Sequence, residues 1–421
     1  MWRATISFVN AKVVTPAGIA SSVRFSGNVL SVGEAPRRHD VVVDVDGAYV
    51  LPGLVNAHDH LELNHYGLLK SRDRYTNVSQ WISDMNPRLR EDPKIRAGQA
   101  HRLAQRLFIG GLKNLLSGVT TVAHHNPLYR EIGRFCPVRV VREFGWAHSF
   151  QLENQPVGAR GEPGGQVGVR HRATPRDQPF VVHLAEGVDS AAYAEFERFS
   201  ATGCVTPNAA IVHGVALTPD QWQRLAEGGG GLVWCPASNL FLFGRTPNVR
   251  ALLDDPRLRS RVALGSDSRI SGARDLLSEV KVAQQASPVT PAELLHMVTT
   301  GPATLLRLKS AGQIATGRPA DLTVLPNHAD SAGTSLLNAS RKDVKLVMLA
   351  GRPLVGDTSF AQVFRARRVR TRPVVVDHAH KVMDASIARL LRRSPIGETG
   401  VDTDADTDET SSRAYAFVTS R

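Results

Sequence analysis

Hydrophobic and polar residues change their rhythm twice along the chain. Up to about Val50 they alternate, with Gly and Asp recurring, in "ISFVNAKVVTP", "SSVRFSGNVLSVG" and "HDVVVDVDGAYV". A period of two bounded by turn residues predicts short strands in a half-buried sheet. The pattern returns in "GQIATGRPADLTVLP" and "VKLVMLAGRPLVG", so residues 1–50 plus 312–376 are expected to form one small composite β-sandwich. Between them, over 51–311, short apolar runs alternate with helical stretches: "GLVNAH", "GVTTVAHH", "VRVVREFGWAHS", "PFVVHLAEG", "AAIVHGVAL", "GLVWCPASN" and "RVALGSDS". Near-continuous apolar strands separated by helices are what a parallel sheet covered on both faces requires. An eighth strand is placed at "GQVGVRH", 165–171, in a segment rich in Arg, Gly and Pro. The predicted fold class is α/β, a (β/α)8 TIM-type barrel beside that sandwich. A C-terminal helix is expected over 377–397. An acidic, disordered tail is expected over 398–421, where "ETGVDTDADTDETSS" has almost nothing to bury.

Several of the apolar runs end in a residue able to bind or serve a metal. His58 and His60 end the first, His183 and Glu186 close "VVHLAEG", His213 closes "IVHGV" and Asp267 closes "ALGSDS". The C-terminal strand ends of a barrel converge on one face, where catalytic groups sit. Strand side chains alternate, so His58 and His60 share a face, and His183 and Asp267 would complete a ligand set. A catalytic zinc-type site needs three or four N/O ligands with one position left for water. The cation lowers the pKa of that water to about 7, and Glu186 is placed to move its proton to a leaving group. His213 would orient the nucleophile.

"PGLVNAHDHL", "HLAEG", "VHGVAL", "CPASN", "LGSD" and "GQIATGRPADL" together resemble the amidohydrolase superfamily. The closest likeness is to its mononuclear branch of cytosine, guanine and adenosine-type deaminases and s-triazine hydrolases, and it runs from the first strands to about Gly356. The resemblance implies a metal held by His58, His60, His183 and Asp267, with Glu186 and His213 acting on water and substrate. Binuclear relatives bridge two metals with a carboxylated lysine of the fourth strand. From Asn114 through Val280 this chain has no lysine, so one divalent metal is expected, zinc by ligand type, with iron as the alternative. The function expected is attack of metal-bound hydroxide on a C–N centre, in deamination of an amine-bearing heterocycle. The alternatives are ring opening of a cyclic amide or imidazolone, and an inactive binding relative. Candidate substrate contacts are His125, Trp146, His148, Asn239 and Arg269, although pairing with a local acid is the favoured reading of Arg269. Glu62, Asn64, His65 and Tyr66 follow the first strand, where relatives carry substrate-determining residues. Asp59, between the two ligands, should point into packing.

Composition narrows the partners. The 421 residues, 42% hydrophobic, can bury a large core, and no run approaches the ~18 apolar residues of a membrane span. The net charge of +12 peaks at "RARRVRTR", 365–372, but few aromatics accompany it and no nucleic-acid motif is present. Cys136, Cys204 and Cys235 are odd in number, far apart and match no zinc-knuckle spacing. "MWRATISFVNAKVV" lacks the layout of a signal peptide. A small-molecule enzyme of the reduced cytoplasm is expected, without nucleic-acid or membrane partners and with homo-oligomers allowed. His378 and His380 repeat the His-x-His spacing without strand-end partners and are read as structural. "EGGGG", 227–231, is read as a helix stop and Cys235 as a core thiol.

Overall fold

The computed structural model describes residues 4–153, 155–157 and 159–403. Eight short parallel strands carry the central region: β1 (Leu54–Asp59), β2 (Val119–His124), β3 (Arg139–Val140), β4 (Gly145–Trp146), β5 (Phe180–Leu184), β6 (Ala209–His213), β7 (Gly231–Trp234) and β8 (Val262–Leu264). β1, β2 and β3 pair as one array and β4 to β8 as another, every neighbour parallel. The Val141 amide continues the first array onto the Val122 carbonyl at 2.9 Å, and the Asp267 amide, just beyond β8, donates to the His58 carbonyl at 3.1 Å. Residues of β1, β2, β5, β6 and β7 are buried throughout. This is why these strands read as unbroken apolar runs rather than alternations.

The fourth strand is not where its pattern suggested. Val167–Ala173 is a helix; Val167 and Gly168 are buried, Val169 is exposed, and Arg170, His171 and Arg172 fill the last turn, where cations suit the helix dipole. The spacing of Val167 and Val169 mimicked a strand. The third apolar run instead supplies two strands, broken at the exposed Arg142–Glu143: its first half pairs with β2 and its second with β5.

The terminal segments do build sheets together. Tyr49–Pro52 lies antiparallel to Leu322–Leu325 in a nine-stranded sheet that also holds Lys12–Thr15 and Leu346–Leu349. Ile6–Val9 centres a four-stranded sheet of N-terminal strands. One apolar cluster, with Phe8, Phe25, Val50, Leu322 and Met348, joins the two. Tyr49–Pro52 runs into β1 through Gly53, where a Cβ would collide with the Thr120 side chain. The sheet thereby sets the entry of the strand that bears His58 and His60.

The C-terminal expectations need two corrections. The helix expected from 377 begins at Ala385 and ends at Arg393. Ala379–Asp384 is a strand that pairs with Thr371–Val376 across a turn in which Asp377 and His378 both take positive φ, 46° and 71°. Two such residues form the tight hairpin turn that matches strand twist, so His378 is a turn residue and His380 lies in the strand that follows. The segment from 398 is ordered where it is described: Glu398 is buried and Val401–Asp402 pairs with Val375–Val376. Glu398 there meets the buried Arg341 and the half-buried Arg269, which composition alone does not reveal. The rest of the expected tail, 404–421, lies outside the described residues. No helix among the described residues is long and apolar enough to cross a membrane.

Candidate metal centre

The C-terminal ends of β1, β5 and the β8 exit bring four donors to one point. The ligand nitrogens of His58, His60 and His183 all lie within 4.8 Å of one another. His58 Nε2 is 3.2 Å from His183 Nε2, and Asp267 Oδ1 lies 3.7 Å from His58 Nε2 and 3.6 Å from His60 Nε2. All four residues are buried. Burial lowers the His58 imidazole to about 4 and takes His183 well below its ordinary value. Both rings are therefore neutral at pH 7, the form that ligates metal.

Their partners fix the tautomers. His183 Nδ1 is 2.8 Å from the His148 carbonyl, which only accepts, so the proton sits on Nδ1 and the Nε2 lone pair faces the site. His125 Nε2 donates to the Ala147 carbonyl at 2.9 Å, leaving its Nδ1 to accept from His58 Nδ1 at 3.3 Å. The assignments follow from the hydrogen-bond network. Two imidazole lone pairs thus face each other at 3.2 Å beside a carboxylate oxygen, an arrangement a divalent cation satisfies. The other oxygen, Asp267 Oδ2, is held by Ser238 Oγ at 2.9 Å and Ser271 Oγ at 2.8 Å. Outer contacts of this kind aim ligands. His125→Phe is accordingly expected to weaken zinc binding about 10–100-fold, read by competition titration with a chromogenic chelator; unchanged affinity would contradict the relay.

Strain marks the same strand ends. Ala185, His213 and Asp267 all hold positive φ, 53°, 73° and 49°, a conformation that costs roughly 1–3 kcal/mol per non-glycine residue and gathers at functional sites. The Ala185 turn swings Glu186 back toward the site, with Oε1 3.6 Å from His213 Nε2. Burial, with Asp267 and Glu195 adding, pushes the Glu186 carboxyl well above its ordinary range, suiting it to carry a proton. His213 Nδ1 meets Asn239 Oδ1 at 2.8 Å, which leaves its Nε2 facing the site.

Glu195 braces the strained turn, accepting from the Ala185 amide at 2.7 Å and from Gln151 Nε2 at 3.0 Å. Burial pushes its carboxyl up to about 7, against ~4.3 in an unfolded chain. The folded protein binds this proton more tightly, so its contribution to stability is complete below ~4.3 and fades as the pH climbs to about 7. Glu195→Gln, which does not ionise, should gain thermal stability relative to the parent between about pH 5 and pH 8. Melting curves that stay parallel across that window would count against the assignment.

A cavity of about 540 Å³ opens over these residues, within the usual range for small-molecule sites. His60, His183, Glu186, His213 and Asp267 line it, together with polar Glu62, Asn126 and Ser268 and apolar Trp81, Ile82 and Leu242. Of the expected substrate contacts, His148 lines this cavity. His125 lies behind His58 and Asn239 behind His213, both buried, because each spends its polar atoms on orienting a site histidine. Trp146 packs its ring edge-on against His125, 5.6 Å between centroids, and is not part of the lining. Arg269 turns away from the cavity to Glu398, at 2.6 and 2.9 Å; the local-acid alternative holds. Asp59 points into packing as expected, taking Asn64 Nδ2 at 2.7 Å, Asn114 Nδ2 at 2.8 Å and the buried Lys113 Nζ at 3.3 Å. Sequence reasoning missed Lys113, Asn126, Ser238 and Ser271; the quoted "CPASN" and the residues after "LGSD" bracket the two serines without marking them. Gly228 caps the helix Pro219–Glu227 before β7, and Cys235 is a buried free thiol.

Parallel strands that end in three histidines, an aspartate and a buried glutamate define a metal-dependent hydrolase. Residues 179–354 match the sequence profile of the amidohydrolase family, a stretch that holds His183, Glu186, His213 and Asp267. A 5-methylthioadenosine/S-adenosylhomocysteine deaminase of Halobacterium salinarum is 27% identical over 386 residues, covering 79% of this chain and 87% of the relative. The fold is that of a triazine hydrolase variant, with a TM-score of 0.68 and 17% identity over 86% of this chain and 99% of the other. It is also that of an adenosine deaminase from Xanthomonas campestris with bound zinc, TM-score 0.63 and 20% identity, covering 87% and 98%.

Proposed function

We propose that this protein hydrolyses a C–N bond, releasing ammonia from an amine-bearing heterocycle. The observation that carries the proposal is the pair of lone-pair-bearing imidazole nitrogens 3.2 Å apart, with the Asp267 carboxylate beside them. His58, His60, His183 and Asp267 would hold one divalent metal, and three nitrogens with one oxygen suit zinc. When bound, that metal supplies Lewis acidity and acidifies water. Glu186 takes the proton of the attacking water and delivers it to the departing nitrogen: the C–O bond forms, the C–N bond breaks, and ammonia leaves. His213, held by Asn239, presents Nε2 to the water or to the substrate atom that gathers charge. The neutral Glu186 form favoured by burial serves the second transfer.

Several further readings belong to the same proposal. The eight strands are read as one (β/α)8 barrel, closed where the Asp267 amide meets the His58 carbonyl, and the terminal sheets as the two layers of a composite sandwich. The three free cysteines support a reduced, cytoplasmic setting. The test is a screen of zinc-loaded protein against aminopurines, aminopyrimidines, aminotriazines and their nucleosides, with cyclic amides as the rival series, followed by ammonia release. 5-Methylthioadenosine and S-adenosylhomocysteine are included because a relative's name points to them. Stoichiometric ammonia from one series is expected. Ring opening of cyclic amides without ammonia would refute the deaminase reading.

A further inference from the structure

Glu398 is a buried carboxylate remote in sequence from the strands that carry the candidate metal donors, yet it is tied to the segment just beyond Asp267. Its two oxygens take Arg269 Nη2 at 2.6 Å and Nη1 at 2.9 Å, and one also takes Arg341 Nη1 at 2.6 Å. The side chains of Glu398 and Arg341 are 0% and 1% exposed. Around this pair, Arg341 Nη2 binds the Thr399 carbonyl at 2.6 Å and Asp377 at 2.8 Å, and Val401–Asp402 adds a strand to the terminal sheet. The segment is therefore docked by charge and by backbone pairing at once.

Arg269 passes this restraint to the site. Its amide donates to Asn64 Oδ1 at 3.2 Å and its Nε to the Arg274 carbonyl at 2.8 Å, which closes the turn 268–274. Within that turn Ser271 holds the metal-facing aspartate through Oδ2 at 2.8 Å, and Ser268, Ile270 and Ser271 line the cavity. The buried Arg341 and the half-buried Arg269 share Glu398, but they depend on it unequally. Arg341 keeps Asp377 when Glu398 is lost, whereas the Arg269 side chain keeps the backbone carbonyls of Asn64 and Arg274. Loss of the carboxylate therefore frees the site turn before it frees the terminal sheet. Breaking one partner of a buried charge pair is strongly disruptive because the other charge is left uncompensated.

We propose that the segment Glu398–Asp402 is a built-in clamp on the active-site turn, with Glu398 as a positioning residue that acts through Arg269 on Ser271 and Asp267. The proposal rests on the hydrolase reading for its catalytic consequence, and its test uses measurements that stand without turnover. Amide hydrogen exchange of 268–274 and the dissociation rate of bound Zn²⁺ are measured in Glu398→Gln, in the chain ended after Gly397, and in Asp384→Asn as a control. Asp384 pairs with Arg352 and caps the C-terminal helix, so its loss loosens the C-terminal region without touching the turn. Exchange over 268–274 and Zn²⁺ release each at least tenfold faster in Glu398→Gln and in the shortened chain, and unchanged in Asp384→Asn, are expected. Where a substrate is in hand, kcat falls more than KM changes. Normal exchange in the turn overturns the clamp, as does equal loosening by the control, whatever the chain turns over. Absence of turnover with the exchange pattern intact strikes the hydrolase reading alone.

Discussion

Glu186→Gln is expected to lower kcat by roughly 10²–10⁴-fold, the scale of a lost general acid–base, while zinc content stays at the parental level. The amide matches the carboxylate in shape and keeps the left-handed turn at Ala185, so the cavity is preserved. What it loses is the ability to take a proton from water and return it to nitrogen. The carboxyl sits 3.6 Å from His213 Nε2 and is not among the donors that cluster at the metal position, which separates its loss from loss of the metal. Steady-state kinetics beside elemental analysis of the same preparation read both quantities. A rate within a fewfold of the parent would remove Glu186 from the mechanism.

His183→Ala is expected to abolish stoichiometric zinc and activity together. Its Nε2 is the partner of His58 Nε2 at 3.2 Å, so the change leaves His58, His60 and Asp267 and opens one side of the site. Metal that binds only the folded protein stabilises it by mass action. A chelator should therefore lower the melting temperature of the parent and leave that of His183→Ala unmoved. Equal chelator shifts in both proteins would contradict the assignment.

How much of this was legible in the residues depends on which physical signal each feature leaves. The candidate donors were legible because each ends a buried apolar run, and parallel strands must deliver their ends to one face. His58 and His60 followed from alternation alone, and Glu186 from its offset to His183. The outer contacts were not, since Lys113, Asn126, Ser238 and Ser271 lie on helices and turns whose polar residues look solvated until the fold buries them. The same blindness made His125 and Asn239 look like substrate contacts: position at a strand end is visible, but the direction of the side chain depends on which histidine needs its ring nitrogen held. Glu398 is the sharpest case. An acid at the head of "ETGVDTDADTDETSS" reads as solvated tail, and only the placement of Arg269 and Arg341, more than 50 residues upstream at the nearer, turns it into a buried anchor. The helix at 167–173 misled for a local reason, two valines spaced by two.

X-ray absorption at the zinc edge of the protein loaded with one equivalent of zinc bears most directly on whether these side chains share an ion. Three imidazoles and a carboxylate predict N/O scattering alone at about 2.0–2.1 Å, with the outer-ring features of several histidines. A spectrum of hydrated zinc, or of zinc bound through sulfur near about 2.3 Å, would show that His58, His60, His183 and Asp267 do not gather around one metal.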